Sequence, residues 1–382
     1  MREVPSTSST SSELGRAAPR RAAAPGRVAP EAVGRTPRLG SWSLMVAVAL
    51  LTGGLAVVAS LALGIRLRDP DGFLGPSYVR LPALVVGFLL ADLLPRLALR
   101  VRAAARAGEQ RAAAARAVLH ERLTSTRLAH VLVGLISFYV TYVGYRNLKS
   151  YLPFLRDELH DGDLLRLDEL MAFGADPGQL AHELLGTTVA AHVLSAVYLF
   201  FLFFVPFSLA LALVWVRDPR DGYWYVTALG LNWALGTASY YLVPSLGPVY
   251  ADPGVYADLP ETGVSDLQAS LMTSRVLVLA DPFSTNRIHG IAAFASLHVS
   301  IVLTAALVAQ FMRLSRVVRW ALWLFVALTA VATVYFGWHY LVDVLGGVVV
   351  AGLSVWLAAL GTRGWRQRAR SSPTAPAGPA GG

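Results

Sequence analysis

The stretch RWALWLFVALTAVATVYFGWHYLVDVLGGVVVAGLSVWLAALG (residues 319–361) holds two apolar runs, 319–338 and 340–361, with almost nothing between them. Its only acid is Asp343 and its only histidine is His339, both beside the junction. Each run is long enough to cross about 30 Å of hydrocarbon, which takes about 20 helical residues. Working back along the chain, six more stretches have the same character, near 42–64, 80–99, 128–145, 187–215, 223–243 and 294–312, the third being short. The expected fold is therefore all-α: a polytopic membrane helix bundle with about eight transmembrane helices.

Composition agrees. Of 382 residues, 55% are hydrophobic and 15% charged, against about 25% charged in an average soluble domain. Mean hydropathy is +0.52. A soluble globular protein, a disordered chain and a nucleic-acid binder are all disfavoured. The net charge of +9 is almost pure arginine, Lys149 being the sole lysine. Seven arginines precede the first run and seven more, Arg100 to Arg127, lie between the second and third. Others follow the fourth (Arg217, Arg220), the sixth (Arg313, Arg316, Arg319) and the eighth (Arg363 to Arg370). With eight spans all of these fall on one side, which the positive-inside rule makes cytoplasmic, together with both termini. Loops 65–79, 146–186 and 244–293 and the turn at His339 then face outward. Cysteine is absent, so disulfides, thiolate metal sites and a cysteine nucleophile are excluded.

Residues 1–40, rich in Ser, Ala, Pro and Arg, read as a disordered basic cytoplasmic tail without a signal peptide, and 362–382 as a disordered cytoplasmic tail. In the 146–186 loop, Leu164, Leu165, Leu167, Leu170 and Met171 interleave with Asp163, Asp168 and Glu169 at helical spacing, which predicts an amphipathic helix lying on the outer surface. Asp176-Pro177 reads as a helix N-cap with proline at the first position, and Gly186 as the stop.

Polar groups at the ends of apolar runs carry the chemistry, because burying them is costly. His298 follows Ser296 where the sixth run begins, and His339 stands where the eighth begins, so two histidines share one membrane depth. Asp343 is four residues after His339, one helical turn away. A carboxylate there fixes the imidazole tautomer and leaves the other nitrogen free to attack. His298 sits in a first helical turn, where free N–H groups attract anions, and Ser296 adds a hydroxyl donor. This constellation points to phosphoryl transfer without metal or cofactor. His339 attacks phosphorus, Asp343 orients it, and His298 protonates the leaving oxygen.

These segments resemble the PAP2 (type 2 phosphatidic acid phosphatase) superfamily, and within it the inositolphosphotransferase, or inositol phosphorylceramide synthase, branch. Ala295-Ser296-Leu297-His298 is similar to the second family motif, Pro-Ser-Gly/Leu-His. His339-Tyr340-Leu341-Val342-Asp343, with Gly346 or Gly347 following, is similar to the third. Tyr241-Leu242-Val243-Pro244-Ser245-Leu246-Gly247-Pro248 resembles the Tyr-x-x-x-Pro-x-x-Gly-Pro stretch of that branch, which brings Tyr241, Pro244 and Gly247 into the expected substrate-binding set. The resemblance covers 128–361 and implies a six-helix PAP2-like catalytic domain there, preceded by two additional transmembrane helices and a basic loop in 41–127. It also implies the same roles for His339, Asp343 and His298.

The Lys-x6-Arg-Pro first motif is missing, and Thr333 occupies the place of the third-motif arginine. Other cations must therefore meet the phosphate. Arg287 is the first choice, with Lys149 and Arg146 at the outer end of the third run and Arg275 behind them. Asp92 with Arg96, His192 and Asn232 read as structural groups, and His289 as a possible substrate contact. The expected partner is a phosphate-bearing membrane lipid, with water, a polyol or a lipid hydroxyl as acceptor and no nucleic acid. The expected place is a bacterial plasma membrane with the active site on the outer face. The competing reading is a non-catalytic lipid transporter or scaffold built on the same bundle.

Overall fold

The computed structural model describes residues 42–72, 75–216 and 218–362. The expected tails, and Arg217, lie outside the described residues. The regular structure of the described residues is helical apart from a short β-hairpin of two-residue strands, β1 (Asp71–Gly72) and β2 (Gly75–Pro76). The long helices are α1 (Ser43–Leu63), α2 (Ser77–Arg106), α4 (Ser125–Leu155), α7 (Val189–Val214), α8 (Pro219–Leu242), α11 (Leu297–Phe311), α12 (Arg316–Tyr335) and α13 (Leu341–Thr362). Shorter helices join them: α3 (Arg111–Arg122), α5 (Asp161–Met171), α6 (Pro177–Leu185), α9 (Pro248–Ala251) and α10 (Gly263–Ala280).

Each of the eight expected apolar runs is a helix, yet only six are long and apolar enough to cross a membrane: α1, α2, α4, α7, α12 and α13. The other two, α8 and α11, differ for physical reasons. The 15 residues of α11 span only about 22 Å at 1.5 Å each. The 24 residues of α8 carry Asp221, Thr227, Asn232 and Thr237, all buried. Both are packed among other helices. α8 packs against α1, α4, α7, α11 and α13, and α11 against α8, α12 and α13. Their polar groups pair internally: Asn232 Nδ2 donates to Thr304 Oγ1 at 2.9 Å, and the Ser300 hydroxyl donates to Asn232 Oδ1. Such interhelical pairs are what hold polar side chains inside a bundle. Trp224 Nε1 adds a 3.0 Å bond to the Val355 carbonyl, tying α8 to α13.

Asn232 thus fits the structural reading. So does Asp92, which is paired with Arg96 at 3.0 Å and with Arg127 at 3.2 Å. His192 is exposed and bonds the Thr188 carbonyl one turn back. Asp176 caps α6 through the Gln179 N–H with Pro177 next, and Gly186 closes the helix at φ 76°.

Two elements depart from expectation. The third run does not end at 145, because α4 continues to Leu155. Arg146 and Lys149 therefore stand inside its last turns and not beyond its end. The extension is stabilised by polar anchors: Asn147 Oδ1 accepts the Arg68 N–H at 2.9 Å, and the Tyr151 hydroxyl donates to the Ile65 carbonyl at 3.2 Å.

The second departure is α5. It forms where predicted, but its inward face is Asp161, Leu164 and Asp168, while Leu167 and Leu170 point outward. The spacing i, i+3, i+7 marks one helical face. Two acids occupy it because each accepts main-chain N–H groups at the end of the bundle described next.

Candidate active site

Two helix N-termini converge at one end of the bundle. Ser296 caps α11, its hydroxyl accepting the Val299 N–H at 3.4 Å. His298 follows in the first turn. α12 ends at Tyr335, and a turn with Gly337 at φ 64° leads through Trp338 and His339 into α13. The Trp338 and His339 N–H groups both bond the Thr333 carbonyl, at 2.9 and 3.2 Å. The position lacking the family arginine therefore holds the histidine turn by its backbone.

His339 precedes α13, so it does not share a helical face with Asp343. The contact forms all the same. Asp343 Oδ2 accepts the Tyr340 N–H at 2.9 Å and lies 3.3 Å from His339 Nδ1. On the other side of the ring, His339 Nε2 is 3.1 Å from His298 Nδ1. Asp343, His339 and His298 thus form one continuous chain, with His339 3% exposed and Asp343 fully buried. With Asp343 accepting the Nδ1 proton, Nε2 carries the lone pair. Burial, with the charge of Lys149 second, pushes the His339 imidazole down to about 3; the ring is neutral at ordinary pH. Asp343 Oδ1 is buried without a hydrogen bond.

α7 supplies an aromatic wall. His298 packs against Tyr198 and Phe201 at ring distances of 4.8 and 4.6 Å, and Tyr198 stacks on Trp338 at 5.2 Å.

The two acids of α5 anchor the frame. Asp168 accepts the N–H groups of Leu341 and Val342 at 2.6 and 2.9 Å, capping α13 just before Asp343. Asp161 accepts the N–H groups of Leu246 and Gly247 at 3.0 and 2.9 Å and the Tyr340 hydroxyl at 3.0 Å. Neither was singled out from the sequence as a site residue. The usable signal was their i, i+7 spacing around Leu164, which the leucine-rich pattern masked.

The Tyr241–Pro248 stretch serves the same frame. Tyr241 donates to the Leu148 carbonyl at 2.7 Å, and the Pro244 carbonyl accepts the His160 N–H at 2.8 Å. Ser245 holds the segment before α11 through Ala293 and Phe294 at 3.0 and 3.1 Å. Gly247 lies against the Trp338 carbonyl. Tyr241 and Pro244 therefore bond the scaffold, while Gly247 abuts the histidine turn.

The cations separate clearly. Lys149 is 7% exposed, its Nζ 3.4 Å from the Ala292 carbonyl and 4.6 Å from the Tyr240 ring centroid. Arg275 Nη1 donates to His289 Nε2 at 3.0 Å, and His289 is fully buried. Arg287 is exposed on the loop before α11, and its side chain contacts neither histidine. No group of three or more metal-ligating side chains occurs among the described residues.

A membrane-type helical bundle with two histidines and an aspartate joined at one end is the class the fold and site define. The sequence profile of the PAP2 superfamily matches residues 162–357, just over half of the 382. The chain belongs to the PAP2 superfamily, which generally comprises phosphatases and phosphotransferases. The matched region holds Tyr241–Pro248, Ser296, His298, His339 and Asp343 but begins after Arg146 and Lys149. No curated protein sequence and no solved structure matches the chain.

Proposed function

We propose that this protein is a membrane phosphotransferase or phosphatase of the inositolphosphotransferase-like branch, acting on a lipid phosphate ester or phosphodiester through a phosphohistidine. The observation that carries the reading is the unbroken chain from Asp343 through His339 to His298. His339 Nε2 attacks phosphorus in line, a P–N bond forms and the P–O bond to the leaving group breaks. His298 gives that oxygen its proton. In the second step water, a polyol or a lipid hydroxyl attacks the phosphohistidine, His298 takes the attacking proton, and His339 is restored. The two imidazole nitrogens stand at 3.1 Å, so a bound phosphoryl group takes the place of His298 at Nε2. The rings separate when substrate binds.

Lys149 is the cation we assign to the transferring phosphoryl group, since it is buried with its Nζ 3.4 Å from the Ala292 carbonyl, in the segment that leads into Ser296 and His298. Lys149→Gln is expected to lower kcat/KM about 100-fold, the scale of losing one preorganised charge partner. A drop of less than about threefold in steady-state assays removes Lys149 from this role. The arginine distribution supports a reading with the termini in the cytoplasm and the histidines at the opposite face, which rests on eight crossings. The deciding experiment incubates purified protein with 32P-labelled lipid phosphates, with and without inositol, reading free phosphate, new lipid and protein-bound label separately. Label on His339 is the expected result; absence of protein-bound label with every donor overturns the mechanism.

A further inference from the structure

Each residue between His339 and Asp343 is held by a carboxylate. The Tyr340 N–H goes to Asp343 Oδ2 at 2.9 Å, and the Tyr340 hydroxyl to Asp161 at 3.0 Å. The next two N–H groups, of Leu341 and Val342, both go to Asp168, at 2.6 and 2.9 Å. Asp168 is 2% exposed and comes from α5, 173 residues before Leu341. The contact that these bonds protect is a long one. His339 Nδ1 and Asp343 Oδ2 stand 3.3 Å apart, at the far end of the range for an N–H···O bond. Asp343 Oδ1 has no hydrogen bond to steady the carboxylate. A drift of the first turn of α13 by about half an ångström therefore parts the two side chains.

The surroundings of Asp168 are acidic. The charges that bear on it are Asp343 of α13 and Asp176 at the start of α6. The Tyr256 hydroxyl, at the end of the Pro253–Tyr256 turn, lies within reach of the same field. On α5 itself Asp161 shares the inward face, with its oxygens already taken by Leu246, Gly247 and Tyr340. Burial pushes the Asp168 carboxyl up to about 6, with Asp343 and Asp176 adding to the rise and the two N–H donors opposing it. A hydrogen bond to an ionised acceptor is roughly twice as strong as one to a neutral acceptor. Protonation of this single group thus weakens both bonds at the start of α13 together.

We propose that Asp168 is a positioning residue and a pH gate for the histidine site: ionised, it fixes the first turn of α13 so that Asp343 reaches His339, and neutral, it releases that turn and uncouples the pair. This rests on the phosphotransfer reading above and adds its regulation. A carboxyl is charged above its pKa, so the site is competent above about pH 6 and loses competence below it. The test assays the full chain in detergent between about pH 5 and 8 with bis(p-nitrophenyl) phosphate, a diester whose own charge is constant over that range. Wild-type kcat should fall about 10-fold through the acid step. Asp168→Asn should lower kcat about 10-fold or more at neutral pH, leave KM within about threefold, and abolish the step. A purely structural role would lower the thermal midpoint and leave the pH profile of the folded protein as it was. Trp338 adjoins His339, so its emission, taken as wild type minus Trp338→Phe, reads the turn without any catalysis. That emission should step at the same pH in the wild type and stay flat in Asp168→Asn. If Asp168→Asn does not fold, Asp176→Asn, which keeps a good N-cap on α6, should move the step down by a few tenths of a pH unit. No emission step in the wild type, or an unchanged step in the variants, overturns the gate. The phosphotransfer reading is judged separately, by label on His339 in the wild type; an emission step without label sinks that reading and not this one.

Discussion

His339→Ala is expected to reduce turnover by about 10⁴-fold or more while the protein still inserts, elutes and shows its helical spectrum as before. The size follows from the role: loss of a nucleophile removes the whole covalent route, whereas loss of an orienting group leaves part of it. Structure predicts the fold will tolerate the change. His339 lies in a turn outside α12 and α13, and its backbone bond to the Thr333 carbonyl does not depend on the side chain. Asp343 keeps the Tyr340 N–H, and α13 keeps its cap from Asp168. Steady-state phosphate release, measured beside detergent gel filtration, decides the matter. A His339→Ala protein with normal turnover ends the mechanism.

Gly247→Ala should be the most damaging small substitution near the site. Gly247 has φ 102° and ψ 156°, a region essentially reserved for glycine, where other residues cost about 1–3 kcal/mol. A Cβ there would also lie 2.6 Å from the Trp338 carbonyl oxygen. That atom is backbone, one residue before His339, and cannot swing aside. Crowding of this kind adds about 1–3 kcal/mol. The expected outcome is a loss of about 2–6 kcal/mol in stability, seen as a large fall in thermal midpoint in detergent, or relief by displacement of the histidine turn and collapse of activity. An alanine variant with wild-type midpoint and wild-type turnover contradicts the packing described here.

Gly247 also shows why part of this site was legible in the sequence and part was not. The motif around it is local, as are Ser296-Leu297-His298 and His339 with Asp343, so residue type and spacing alone singled them out. The cap at Ser296, the Asp176-Pro177 start and the Gly186 stop were readable for the same reason: capping is satisfied within a few residues. α5 was misjudged in its facing because its pattern has two readings. Leucines at helical spacing argue for an apolar inner stripe, but Asp161 and Asp168 reach unpaired N–H groups 85 and 173 residues away. Those acceptors' partners are invisible until the chain is folded. Six of the eight expected spans are long and apolar enough to cross a membrane by themselves, while α8 and α11 are enclosed by their neighbours, so apolar length alone does not carry them.

The sequence by itself determined that the chain is a helical membrane bundle and that two histidines and an aspartate stand at the ends of its helices. These properties follow from composition and short-range spacing, which the chain carries wherever it folds. Only the tertiary structure decided that His298 and His339, 41 residues apart, meet nitrogen to nitrogen. It also decided that Lys149, from the last turns of α4, meets the segment leading into Ser296 and His298 while Arg287, nearest to His298 along the chain, stays at the surface. Which cation meets an anion is set by helix packing across long sequence separations, and the extra turns of α4 beyond residue 145 carry Lys149 inward.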